Sequence, residues 1–283
     1  MAIKAVQQIM LGTVTGTREK AEKTLNIMKK AGYDGIELNS FMVNPTPFMV
    51  RMLTKAAGMP TGKGGNLDWV SLTKEAELKV VSLHKDLGSM ERDIRECVAE
   101  ARKFDTTNLV ITGMYRFNYG DLSTVAALCE RLNKVGKQLK DEGIHLLYHN
   151  HNYEFQRVKE TQTAYDYIVT NTDPSYVNFE FDSYWPTEAG VSALDIMKML
   201  GERLKMYHIN DRGTRLLKPV MTPILTSDSM ELGYGNMNLK ALCEQALSVG
   251  VESVLLESHK NWVDKSPIRS LEVSAEFMNE HIR

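Results

Sequence analysis

With 283 residues and a formal charge of −2, the chain is long enough for one large α/β domain and too near neutrality for a phosphate-backbone partner, so nucleic acid is excluded as an expected ligand. An apolar content of 43% allows a sizeable core, and no run approaches the roughly 18 consecutive apolar residues of a membrane span. No basic and then apolar leader opens the sequence, and Cys97, Cys129 and Cys243 are too widely spaced for a disulfide framework. The expectation is a cytoplasmic protein of one domain, residues 1–283, without a membrane partner.

In chain order, apolar alternation predicts a strand over Ile3 to Leu11, a helix over Arg18 to Ala31 and a strand over Gly35 to Leu38. The Gly-rich stretch Gly58 to Gly65 lacks the Lys-Ser/Thr ending of a phosphate loop and reads as an insertion. A strand at Lys79 to Leu83, a helix at Met90 to Phe104, a strand at Asn108 to Thr112 and a helix at Leu122 to Asp141 follow. The second half continues with strands at His145 to Asn150, Val177 to Asp182, Lys205 to Ile209 and Ser253 to Glu257. Between these lie helices at Thr163 to Asn171, Ser192 to Leu200 and Leu239 to Val249, and a long loop at Thr214 to Leu232. Eight strands alternating with helices predict a single (β/α)8 TIM barrel, whereas a doubly wound sheet would carry fewer strands and a GxGxxG after the first. Met10, Met114 and Met206, in or beside strands, are placed to line that barrel.

Four of these apolar runs end in a residue able to hold a metal ion: His149, Asp182, His208 and Glu257. A barrel delivers its strand ends to one face, so two imidazoles and two carboxylates there would form an open N/O site for a divalent ion. One strand-end histidine alone would read as a hydrogen-bonded structural residue; four such ends in succession do not. Within the sixth strand Asn178, Glu180 and Asp182 share the inward face. At the fifth, His151 and Glu154 compete with His149 for the ligand position. Asp211 is placed to orient the second ring nitrogen of His208. Glu37 and His84, at the ends of the second and third strands, are placed to contact substrate, and Trp185, Tyr115 and Phe117 to wall it.

On AGYDGIELN, LKVVSLH, LLYHNHNYEF, FDSYW, YHIND, ELGYGNMNLKAL and LLESHK, in that order, the chain resembles the xylose isomerase-like TIM-barrel superfamily over essentially its whole length. Its sugar phosphate isomerase/epimerase members are related to ketose 3-epimerases and inosose dehydratases. In the ketose 3-epimerases a Glu, an Asp, a His and a Glu bind Mn²⁺ or a similar ion. The matching positions here are His149, Asp182, His208 and Glu257, so one ligand departs from the pattern, and Trp185 stands where those enzymes carry a substrate-contacting histidine.

The resemblance implies a metal-dependent sugar isomerase/epimerase working through an enediolate, with Mn²⁺ the first choice and Co²⁺, Mg²⁺, Zn²⁺ or Fe²⁺ as alternatives. Glu257, His149 or His151 would act as acid or base, and Glu37, His84, Glu154, Trp185 and Asp211 would bind a small-molecule sugar or sugar derivative. A lyase of the inosose dehydratase or C-glycoside-cleaving type is the alternative. A homo-oligomer is also implied. An endonuclease IV-like enzyme would need more than seven histidines for its metal cluster and a basic face. A non-catalytic sugar-binding barrel would not need to keep Asp182 and Glu257.

Overall fold

The computed structural model describes residues 1–45, 52, 63–114, 116–215, 221–222 and 225–283. Eight strands form a closed, wholly parallel barrel: β1 (Ile3–Gln7), β2 (Gly35–Asn39), β3 (Lys79–His84), β4 (Asn108–Ile111), β5 (His145–His149), β6 (Val177–Asp182), β7 (Leu204–Ile209) and β8 (Ser253–Leu256). Each strand pairs with its neighbours in sequence, and β8 closes on β1 with Ile3 beside Ser253. Around them run α1 (Arg18–Ala31), α2 (Trp69–Glu75), α3 (Ile94–Lys103), α4 (Leu122–Asp141), α5 (Ala164–Asn171), α6 (Ala193–Leu200), α7 (Leu239–Ser248) and α8 (Pro267–His281). This is the (β/α)8 architecture expected from the alternation of elements.

Local chemistry sets the element ends. The Thr17 side chain caps α1, and Gly32 at φ +102° closes it in the left-handed conformation that lacks a Cβ penalty. Thr163 and Asp166 form a reciprocal capping box on α5. The first strand is shorter than predicted because the Gln7 side chain accepts the Ile9 N–H at 2.5 Å and turns Gln8–Leu11 into a 3₁₀ helix. The single helix predicted over Met90 to Phe104 is two, Leu87–Arg92 and α3. Asp93 breaks it by adopting an extended φ of −150° and capping the Glu96 N–H. Helices α2 and α8 were not predicted; the latter carries its own signal, Ser266 as cap and Pro267 in the first turn.

In the loop expected at Thr214 to Leu232, Asp228–Met230 pairs antiparallel with Asp211–Gly213 just after β7. In the Gly-rich insertion Lys63–Asn66 forms a 3₁₀ turn, and Gly58 to Gly62 fall outside the described residues. Cys97, Cys129 and Cys243 are buried on α3, α4 and α7, where burial pushes their thiols up to about 11, 11 and 12. Among the described residues no helix is long and apolar enough to cross a membrane.

The two faces of the strands carry different cores. Outward residues such as Leu109, Leu146, Phe179, Tyr207 and Val254 pack against the helices in one large cluster. Inward residues Ala5, Val81, Val110, Leu147, Met206 and Leu255 form a separate apolar layer inside the barrel. Met206 thus lines the barrel, while Met10 and Met114 belong to the outer cluster.

Candidate metal centre

Two residues beyond the inner apolar layer, the inward face turns polar: Leu147 is followed by His149, Met206 by His208 and Leu255 by Glu257. The period of two carries each strand from core to site at its C-terminal end. Register then aligns the polar ends, with His149 opposite Glu180 and Asp182 opposite His208. Asn150 reinforces that alignment: its side chain donates to the Asp182 carbonyl and accepts the Asp182 N–H, both at 3.0 Å, clamping the end of β5 to the end of β6.

One ligand atom from each of His149, Asp182, His208 and Glu257 falls within 4.8 Å of the other three, and all four residues are buried. The Nδ1 of His208 lies 2.7 Å from Glu257 Oε2. Burial, with Glu257 next in effect, holds the Asp182 carboxyl well above the usual carboxylate range. Burial works against the charge of Glu257 too, but His259, His208 and His149 hold it below that range. Two buried carboxylates close together gain from a neutralising divalent cation, and two imidazoles complete a mixed N/O donor set. The cluster could hold a metal ion.

A further layer supports these residues from below. Glu180 Oε2 lies 3.1 Å from His149 Nδ1, 3.1 Å from His84 Nε2 and 3.3 Å from His208 Nε2. Glu37 Oε1 lies 2.8 Å from His208 Nε2 and 2.9 Å from His84 Nε2, while Glu37 Oε2 accepts from the Ser82 hydroxyl. Burial disfavours the charged form of each histidine here. At His84 Glu37 and Glu180 overcome it and push the ring up to about 10, and at His208 Glu180, Glu37 and Glu257 hold it well above its usual value. His149 stays below its ordinary value, because burial and the charge of His208 outweigh Glu180.

Glu37 and His84, expected to touch substrate, therefore lie beneath the cluster: Glu37 has no exposed surface and its carboxylate is fully engaged. Asp211 does not orient His208, whose two nitrogens face Glu257 and Glu37. It accepts instead from the N–H groups of Gly233 (3.0 Å), Gly235 (2.9 Å) and Met237 (3.2 Å), fixing the loop before α7. Glu154 is fully buried beside the site, accepting from the Tyr148 hydroxyl and the His151 N–H, both at 3.0 Å.

β5 ends at His149, yet the half-buried His151 ring lies 5.1 Å from the His149 ring and 5.4 Å from the half-buried Trp185. Burial, then His149, push His151 down to about 3. Phe117 packs on Tyr119 at 4.6 Å, and Tyr115 lies outside the described residues. Two residues escaped the sequence reading. Glu180 is visible in the alternation of Asn178, Glu180 and Asp182, where the strand-end pattern selects only the last. His259, two residues after Glu257, places Nε2 3.3 Å from Glu257 Oε1.

Several known proteins are similar to this chain. The chain is 32% identical to the inosose dehydratase of Clostridium perfringens over 102 residues, 36% of this chain, so the match spans about a third (32%) of that relative's length. A sugar phosphate isomerase/epimerase structure from Parabacteroides distasonis superposes with a TM-score of 0.75 at 20% identity, covering 99% of this chain and 98% of the other. The structure of an IolI protein with a bound zinc atom gives 0.67 at 13% identity, covering 99% and 98%. Residues 25–281 match the model of the family described as xylose isomerase-like TIM barrel, and the chain belongs to that family.

Proposed function

We propose that residues 1–283 act as one catalytic domain, a divalent-metal-dependent isomerase or epimerase of a keto- or hydroxy-sugar. The observation that carries this reading is the buried set His149, Asp182, His208 and Glu257, whose ligand atoms lie within 4.8 Å of one another at the barrel mouth. These four residues would hold the ion, Mn²⁺ first and Zn²⁺ next, the latter supported by the zinc of the IolI structure. When bound, the ion polarises the substrate carbonyl and makes the adjacent C–H acidic.

Glu257, whose carboxylate is ionised, takes the proton from that carbon. Its return to the opposite face gives the epimer, and its return to the neighbouring carbon, with a hydroxyl proton moving to the carbonyl oxygen, gives the isomer. His151, with its ring between His149 and Trp185 and unprotonated at neutral pH, faces the substrate as the second base. The Trp185 indole supplies an apolar wall for the sugar's C–H face.

The inosose dehydratase relative favours a second reading: after the same proton removal, a hydroxyl on the next carbon leaves as water and an unsaturated ketone results.

The test is metal content together with turnover of keto-sugars and inososes in deuterated solvent, for the wild type, Asp182→Ala and Glu257→Ala. About one ion per chain, lost with turnover in both variants, is expected. Deuterium at the carbon next to the carbonyl in an isomeric product supports the first reading, and loss of water supports the second. A folded wild-type protein that binds no divalent ion would overturn both.

A further inference from the structure

Behind the four ligands, two buried carboxylates face ring nitrogens of the site's histidines, Glu180 alone meeting His149 and both meeting His208. Glu180 presents one oxygen to His149 Nδ1 at 3.1 Å and to His208 Nε2 at 3.3 Å. Glu37 presents Oε1 to the same His208 nitrogen at 2.8 Å. A ring nitrogen that donates to a carboxylate carries the proton and leaves the lone pair on the other nitrogen. We propose that Glu180, assisted by Glu37, is the positioning residue that sets opposite ring tautomers on His149 and His208. His149 then offers Nε2 to the ion and His208 offers Nδ1, the nitrogen that already faces Glu257.

His84 keeps the two carboxylates together, its Nε2 lying 2.9 Å from Glu37 and 3.1 Å from Glu180. His84, His149, Glu180 and His208 also bring ligand atoms within 4.8 Å of one another, so a second ion there is the rival arrangement. It would require His149 and His208 to surrender both ring protons and coordinate through both nitrogens at once. With one ion above and carboxylates below, His149 and His208 each keep one ring proton and donate it to a carboxylate.

The inference rests on the proposed ligand set, and its test separates the two. Zn²⁺ binding is measured by calorimetry on wild type, Glu180→Gln and Asp182→Ala, and ¹⁵N–¹H spectra of the imidazoles are recorded with and without Zn²⁺. Expected are one ion per wild-type chain, a proton on His149 Nδ1 in both states, and in the Zn²⁺ form a proton on His208 Nε2. Glu180→Gln should still take one ion but bind it about 10- to 100-fold more weakly, with altered His149 signals.

Unchanged affinity and spectra in Glu180→Gln would overturn the positioning role and leave the metal reading standing. Two ions in the wild type, falling to one in Glu180→Gln, would make Glu180 a ligand and also overturn it. A wild type that binds no Zn²⁺ sinks the metal reading and this inference with it. Should Glu180→Gln not fold, Glu37→Gln tests the same idea through His208 alone, with weaker binding and a changed His208 signal expected. The wild-type spectra decide His149 in either case.

Discussion

Glu154 should make this protein lose stability as the pH rises through neutrality. Burial outweighs its hydrogen bonds from Tyr148, the His151 N–H and Tyr119, pushing its carboxyl from an ordinary 4.5 up to about 7. Between those values the folded state keeps a proton that the unfolded chain has released, so the folded state is progressively disfavoured as the pH climbs. At about 1.4 kcal/mol for each tenfold change in the protonation equilibrium, the whole gap corresponds to about 3 kcal/mol. Roughly 2 to 3 kcal/mol of it is expressed between pH 5 and pH 8.

Glu154→Gln removes the titration but also turns an amide N–H toward the His151 N–H, which adds a pH-independent cost. That cost cancels when the difference in unfolding free energy between wild type and variant is compared across pH. Urea unfolding of the metal-free proteins at pH 5, 6, 7 and 8 should show this difference moving by about 2 to 3 kcal/mol in the variant's favour as the pH rises. Parallel pH profiles, or a difference moving the other way, would show that Glu154 is ionised throughout and refute the reasoning.

Leu147→Ala opens a void in the closed inner layer of Ala5, Val81, Val110, Met206 and Leu255 and should cost about 2 to 5 kcal/mol in chemical denaturation; a loss under about 1 kcal/mol would mean the barrel interior collapses around it. Glu100→Ala should cost about 2 to 4 kcal/mol. It strands the largely buried Lys85, whose ammonium lies 2.5 Å from the carboxylate, and removes the acceptor of Ser40 and Asn44. The double replacement Lys85→Met with Glu100→Leu should recover most of that loss in the same assay, and failure to do so would assign the cost to Ser40 and Asn44 instead.

The eight strands and the ends of β5 to β8 were legible in the sequence because both signals are local. Alternation marks a half-buried strand, and LLYH, NFEFD, MYHI and VLLE each announce a polar residue where an apolar run stops. Helices α1 and α4 were legible to the residue because apolar periodicity agreed with their caps, Thr17 and Gly32 on the first and Asp121 on the second. The break at Asp93 was less visible, since a side chain that competes for backbone N–H groups leaves the surrounding periodicity intact.

What the sequence by itself determined is the barrel and the four residues that its strand ends bring to one mouth. What only the tertiary structure decided is which polar side chains stand together behind them. Glu37, Ser82, His84 and Glu180 come from three strands, and their partnership with His149 and His208 depends on register and barrel closure. The same closure sends Asp211 to the amides of Gly233, Gly235 and Met237 rather than to His208, because a side chain just past a strand end is aimed by the loop that follows it. Periodicity records which face a residue occupies, and only the folded barrel records which neighbour it meets there.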